Sequence, residues 1–318
     1  MTVLTGLGPL VRMRPLSPSQ LPAHPDLAAH QNTGSTPPEL HTFLTDVFQE
    51  AEHFMTDYMS THFVVKAENK PAAPSTAGVK LLEKTIPAIE LPTSHTPGAY
   101  PEETWFARTS IHENKSTTGT ASWPEFEYGL MDDHSQHEKE YTPDVYDAHR
   151  VLSYDTQTPS LQIPGYEKIG LSIYEMAHKI PPPLNNRVFS VAVATAKSSD
   201  ASRFLVVQVP VDIRLIDKAL YANGRNKRDG DEAIKRKEVH LGQYVSIERC
   251  EVVDGGAKVQ WQMGTSSDAG GVLPMFVQKM AVPGAIVKDV SLFMEWIEKK
   301  RRGKGEAANA PAGNGGMP

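Results

Sequence analysis

Three things are scarce in this chain of 318 residues: cysteine, basic excess and long apolar runs. With Cys250 as the single cysteine, no intrachain disulfide can form. Val245, Ile247, Val252 and Val253 surround it, the setting of a buried thiol that behaves as a small hydrophobe. Arg249 is adjacent but points to the other face of a strand, so nothing nearby activates a thiolate. The formal net charge of −6 supplies no field for nucleic acid, and no nucleic-acid partner is expected. No stretch of about 18 apolar residues is present, so no transmembrane helix is expected. Met1 to Pro22 carries Arg12 and Arg14 but lacks the charged region, apolar run and cleavage site of a secretory signal. Asn114-Lys115-Ser116 is then a chance match to a glycosylation acceptor, and the expected location is cytoplasmic.

What is present is an ordinary globular composition, 39% hydrophobic and 22% charged, with unusual ends. Residues 1–35 are rich in Pro, Ser, Thr and Gly, and residues 303–318 in Gly, Ala, Asn and Pro. Both read as disordered tails, which leaves one domain over residues 36–302.

Thr36-Pro37-Pro38-Glu39 reads as a capping box. It precedes an amphipathic helix in which Leu40, Phe43, Leu44, Val47, Phe48, Ala51, Phe54 and Met55 recur at steps of three and four. A loop with Pro71 and Pro74 follows. Residues 79–88, 104–113 and 145–154 read as strands, and Ser122-Trp123-Pro124-Glu125 as a second capping box. Beyond it the pattern is β-rich: 170–180, 188–197, 203–213, 240–253 and 258–268, with Asp254-Gly255-Gly256 turning the last pair. A long helix from about Leu273 to Arg301 ends the pattern, with Pro283-Gly284 expected to bend or interrupt it.

Runs of strands without alternating helices exclude a doubly wound parallel sheet. An antiparallel sheet with one apolar face must cover it, and the terminal helix has the length and the stripe to do so. The expectation is an α+β helix-grip fold: a curved antiparallel sheet wrapped on a long C-terminal helix, with an apolar cavity between them. Val259, Trp261 and Met263 share one strand face by period two, and Phe276 and Met280 lie in the terminal helix; these are the cavity-lining candidates.

Particular phrases carry a resemblance. The segment Tyr174 to Phe189, with Pro181-Pro182-Pro183 and then Arg187 opening a strand, resembles the START-domain hairpin, although Val188 stands where an acidic residue is usual. Gly271-Val272-Leu273-Pro274 before the last helix resembles that superfamily (START/SRPBCC) as well. A nearer resemblance is to a fungal START-like family of unknown function. It is carried by Glu103-Thr104-Trp105-Phe106-Ala107-Arg108, His134-Ser135-Gln136-His137-Glu138, Tyr244-Val245-Ser246-Ile247-Glu248-Arg249 and Val282-Pro283-Gly284-Ala285. The resemblance implies binding, transfer or sensing of a lipid or other hydrophobic molecule. The alternatives are a polyketide cyclase or aromatase-like enzyme on the same fold, or a non-catalytic protein-interaction scaffold. The binding reading leans away from catalysis and names no cofactor.

Several polar groups need weighing. Arg187 is a candidate headgroup anchor; the bland alternative is an ion pair with Glu175 or Asp212. Glu175 is a second polar ligand candidate. Related cyclases use pocket carboxylates and histidines as acid and base, but Glu175 and His178 are an odd number of residues apart and fall on opposite faces of a strand. His134 and His137 share a helix face, yet zinc needs at least three protein ligands and no third is signalled; a solvated helix face is the expectation, with no metal. The run Lys299-Lys300-Arg301-Arg302-Gly303-Lys304 suits transient contact with anionic membrane, or offsets the helix dipole.

Overall fold

The computed structural model describes residues 7–31, 36–92, 102–221, 224, 238–270 and 275–309. Its helices are α1 (Ala28–Gln31), α2 (Leu40–His53), α3 (Met59–His62), α4 (Trp123–Phe126), α5 (His134–Tyr141) and α6 (Met275–Asn309). Its strands are β1 (Val64–Lys70), β2 (Val79–Pro87), β3 (Glu102–Glu113), β4 (Val145–Ser153), β5 (Tyr166–His178), β6 (Arg187–Ser198), β7 (Arg203–Pro210), β8 (His240–Val253) and β9 (Lys258–Asp268). The strands form one sheet in the order β1-β2-β3-β9-β8-β7-β6-β5-β4. Every neighbouring pair in that order is antiparallel, and a short parallel contact joins β6 to β8 from Arg187↔His240 to Phe189↔Gly242.

Period-two alternation gives each strand two working faces. Along β3, Trp105 and Ala107 join one core while Phe106 joins another. Along β8, Val245 and Ile247 go to the first and Cys250 to the second. The first core is covered by α2 and the N-terminal segment, the second by α4, α5 and α6.

The N-terminal segment corrects the expectation of a disordered tail over 1–35. Residues 7–31 are packed, and Val11, Leu16, Leu21 and Leu27 are buried in the first core. The composition is polar and Pro-rich, but the few apolar side chains fall where the sheet can take them. Side chains satisfy its backbone: Glu50 Oε2 accepts from Leu10 N and Val11 N at 2.9 Å, and Glu103 Oε1 accepts from Met13 N at 2.9 Å. Leu16 bridges to Val211 beside β7. Residues 32–35 lie outside the described residues. At the other end the helix continues past the expected boundary to Asn309.

Other differences are local. α2 starts at Leu40 with Glu39 as N-cap and makes no side-chain capping bond. Thr36 and Pro37 each precede a proline, which disfavours helix and postpones its start. The second capping box forms: Glu125 Oε2 accepts from Ser122 N at 2.8 Å. β1, read from sequence as loop, is an exposed edge strand. Pro283 sits inside α6 without ending it. Ile286, Val290, Phe293, Met294 and Ile297 are buried along that helix, and this packing outweighs the one backbone bond proline removes.

Candidate functional site: a cavity between sheet and terminal helix

The second face of the sheet does not pack solidly. A cavity of about 270 Å³ lies between it and helices α5 and α6. Three periodicities build its wall. On β8, Tyr244, Ser246 and Glu248 alternate onto this face, as do Trp261, Met263, Thr265 and Ser267 on β9. On α5, His134, Glu138 and Tyr141 lie at i, i+4 and i+7. On α6, Val282, Ala285, Ile286, Asp289 and Leu292 form the facing stripe. Gly129 lets the adjoining turn approach α6: a Cβ there would stand 2.6 Å from Phe293 and 2.7 Å from Trp296.

Most of the wall is apolar, but one part is ionisable. Glu138, Glu248 and Asp289 all line the cavity. Burial raises the Glu138 carboxyl to about 8, with the charges of Asp289 and Glu248 adding to the shift. Burial raises Asp289 to about 6, against the pull of Arg108. Glu248 is also raised by burial, and Arg108 opposes the rise. Arg108 is fully buried under the Trp261 ring, 3.9 Å from its centroid, and donates from Nη2 to Glu248 Oε1 at 3.2 Å. The other Glu248 oxygen, Oε2, is buried with no donor in full hydrogen-bond geometry, and Arg108 Nε and Nη1 are buried with no acceptor.

His134 has a defined tautomer. Nδ1 donates to the Leu130 carbonyl at 2.6 Å, so Nε2 is the acceptor, and Gln208 Nε2 donates to it at 3.0 Å. Burial holds this imidazole neutral by lowering it to about 4. His178, also on the wall, is lowered to about 4 by burial, and its ring meets Phe189 edge-on.

The residues singled out from sequence are spread more widely than the cavity. Trp261 and Met263 are on its wall. Val259 shares their face but is buried in the core farther along the strand. Met280 is 78% exposed: it lies on the solvent side of α6, off the Val282–Ile286–Asp289 stripe. The side chain of Phe276 lies outside the described residues. Glu175 points to the opposite face, as the odd offset from His178 requires, and accepts from Leu220 N at 2.7 Å and Tyr221 N at 2.9 Å. It secures the chain after β7 and is not on the cavity wall. Arg187 is buried and donates to the carbonyls of Asn185 and Gly270, tying the β5–β6 loop to the end of β9. Neither Glu175 nor Asp212 is its partner in these bonds; Asp212 pairs with Arg214 at 2.6 Å.

His134 and His137 are buried, not solvated, because α5 is sandwiched between the sheet and α6. Among the described residues no group of three or more His, Cys, Asp or Glu side chains could hold a metal. In the basic run, Lys300 pairs with Glu140 at 2.7 Å, Arg301 with Glu125 at 2.6 Å and Arg302 with Glu298 at 3.4 Å. Much of its charge is therefore met within the chain. Cys250 is fully buried, and burial pushes its thiol well up.

Sequence reasoning missed Arg108, Glu138, Glu248 and Asp289. Arg108 and Glu248 each carried a signal, as a charged residue inside an apolar strand on the face that period two assigns to the helix side.

A curved antiparallel sheet closed by a long C-terminal helix over an internal cavity defines a START-like helix-grip protein. Solved structures share that fold. Human STARD10 superposes with a TM-score of 0.50 at 10% identity, covering 86% of this chain and 87% of that one. Human StAR-related lipid transfer protein 5 gives 0.51 at 11% identity, covering 82% and 97%. The chain belongs to the family described as protein of unknown function (DUF3074), whose model matches residues 105–297. A relative in Schizosaccharomyces pombe, uncharacterized protein C577.11, is 24% identical over 211 residues, which is 65% of this chain and 73% of the yeast protein. Among the described residues no helix is long and apolar enough to cross a membrane.

Proposed function

We propose that this protein binds a small hydrophobic or amphiphilic molecule in the cavity between the sheet and α6, as a carrier or sensor and not as an enzyme, and that it does so in the cytoplasm. The observation that supports the reading most is the cavity itself, largely apolar and closed by the terminal helix. Its 270 Å³ would hold about nine waters at roughly 30 Å³ each, just below the usual range for small-molecule sites. That volume suits a single short chain or ring system better than a two-chain lipid. The fold shared with StAR-related lipid transfer protein 5 agrees with a hydrophobic cargo. Native mass spectrometry of the purified chain, then solvent extraction, tests it. A stoichiometric apolar or amphiphilic molecule is the expected result. A bare protein mass that no lipid or apolar metabolite shifts would overturn it.

A specific observation keeps a second reading in view. Glu138 and Asp289 share the cavity wall, and burial raises both carboxyls, the setting in which a carboxyl can hold or take a proton near neutral pH. A cyclase-type enzyme would lose turnover in Glu138→Gln while still retaining its bound substrate; a carrier has no turnover to lose.

A further inference from the structure

We propose that the ionisable part of the cavity receives the cationic head of a single-chain amphiphilic amine, with Glu248, Asp289 and Glu138 as its acceptors. The proposal rests on the binding reading above and names the ligand class.

The geometry carries it. Four carboxylates border one cavity, Glu138, Glu248 and Asp289 together with Asp144, and the one guanidinium beside them, Arg108, places Nη2 on Glu248 Oε1 and its face on Trp261, with Nε and Nη1 left unpartnered. Lys288 also borders the cavity, but it is exposed to solvent. Glu248 is 6% exposed, and no donor meets its buried Oε2 in full hydrogen-bond geometry, the Trp261 indole N–H being the donor that lies near this carboxylate. A buried acceptor of this kind costs free energy until a donor reaches it. A neutral hydroxyl supplies one hydrogen; an ammonium supplies three and a charge that offsets the surplus of carboxylates. A fatty carboxylate would add a further acid to a wall that already holds Glu138, Asp144, Glu248 and Asp289. The apolar remainder of the wall, Met263, Ile286 and Leu292 among it, would take the alkyl chain.

Proton linkage follows from the surroundings. Around Glu138 stand His134 and Tyr141 on its own helix, Tyr244 and Glu248 on β8, Arg108 on β3 and Asp289 on α6. Asp144, His178 and Lys288 complete the titratable wall. His134 and His178 stay neutral at pH 7, so Glu138 is the group that must lose its proton to solvent before it can accept from an arriving ammonium. Amine affinity then rises as pH climbs from 6 to 8.

Octylamine, octanol and octanoate are the probes, titrated calorimetrically into the full chain at pH 6, 7 and 8. Octylamine should bind about tenfold tighter than octanol at pH 8, the ratio expected of one charge-assisted hydrogen bond, with the gap narrowing at pH 6. Asp289→Asn should close most of that gap while octanol binding and Tm hold; Glu248→Gln should close it too but lower Tm, because it leaves the buried Arg108 without its charge partner. If one variant does not fold, the other still decides. Octanoate or octanol binding as tightly as octylamine, or a gap that survives both substitutions, would overturn the amine assignment and leave the binding reading standing. If none of the three binds, both fall.

Discussion

The two faces of the sheet are made by the same strands, residue by alternate residue, and they come out differently. The face under α2 and the N-terminal segment is a closed core. Most of its polar groups meet partners there: Glu103 accepts from Met13 N, Trp105 Nε1 and Arg12, and Glu50 from two backbone amides, while Thr45 Oγ1 on α2 is left without one. The face under α5 and α6 holds a cavity and keeps Glu248 Oε2, Glu138 Oε2, Trp261 Nε1 and His137 Nδ1 outside full hydrogen-bond geometry, with Glu138 Oε2 3.7 Å from His134 Nε2. Unpartnered buried polar atoms are costly, and a fold that could close one face has left the other incomplete. The contrast is why we propose the second face as the working one, since natural proteins break local packing rules mainly at functional sites.

The largest test of the contrast is large-to-small substitution on each face. Trp105 is fully buried in the closed core, packed on Phe54 at 4.5 Å between ring centroids. Trp105→Ala should cost about 3–5 kcal/mol in urea denaturation. Met263 borders the cavity, so part of its side chain already lacks neighbours, and Met263→Ala should fall near about 2 kcal/mol, the low end for its type. Equal costs would mean the cavity is filled in solution and the faces are alike.

The N-terminal segment belongs to the closed face, which sets the next expectation. Leu16 is fully buried against Val211, and Leu16→Ala should destabilise by about 2–4 kcal/mol. A change below about 0.5 kcal/mol, the usual effect at a surface site, would return residues 7–31 to the status of a loose tail.

Proton linkage separates the faces more finely. Glu50 on the closed side is raised to about 7 by burial, although the Leu10 and Val11 amides and Arg12 pull it down. Glu138 on the cavity side is raised to about 8. An acid raised in the folded state contributes most below its ordinary value of 4.5 and loses that contribution as pH rises through the folded value. Stability should therefore fall between about pH 4.5 and 7 on account of Glu50, and on to about pH 8 on account of Glu138. Glu50→Gln keeps an oxygen for the two amides and should gain about 1–3 kcal/mol at pH 8, read from denaturation midpoints. Saturating octylamine should flatten the slope due to Glu138 and leave that due to Glu50. If the amine flattens both or neither, the charge arrangement does not distinguish the faces.

Much of the architecture could be read from residue patterns, because period two and period 3.6 are strong in long elements. β8 and β9 fall on their expected bounds, and the α+β helix-grip plan follows from their order. The misses share a physical cause. Residues 7–31 and β1 are short or polar, and tertiary contacts decide their state, not their own propensity. At the site, Trp261 and Met263 were legible from alternation alone. Glu138 and Asp289 were not, since a charged residue on a helix looks solvent-facing until a second layer covers it. Arg187 and Glu175 drew attention as polar groups in apolar strands, but both serve loops.

Met280 offers the smallest effect and isolates the error. It lies three residues from Pro283 in the apolar pattern of α6, yet it is 78% exposed while Ile286 and Asp289 face the cavity. One helical step separates a wall residue from a surface residue, so the phase of the stripe, not its composition, decides what can touch a ligand. Met280→Ser should change stability by no more than about 0.5 kcal/mol. It should also leave octylamine affinity unchanged, whereas Ile286→Ser on the opposite phase should weaken it. A loss of affinity at Met280 equal to that at Ile286 would place the ligand on the outer surface of the helix and remove the reason for treating the inner face as the site.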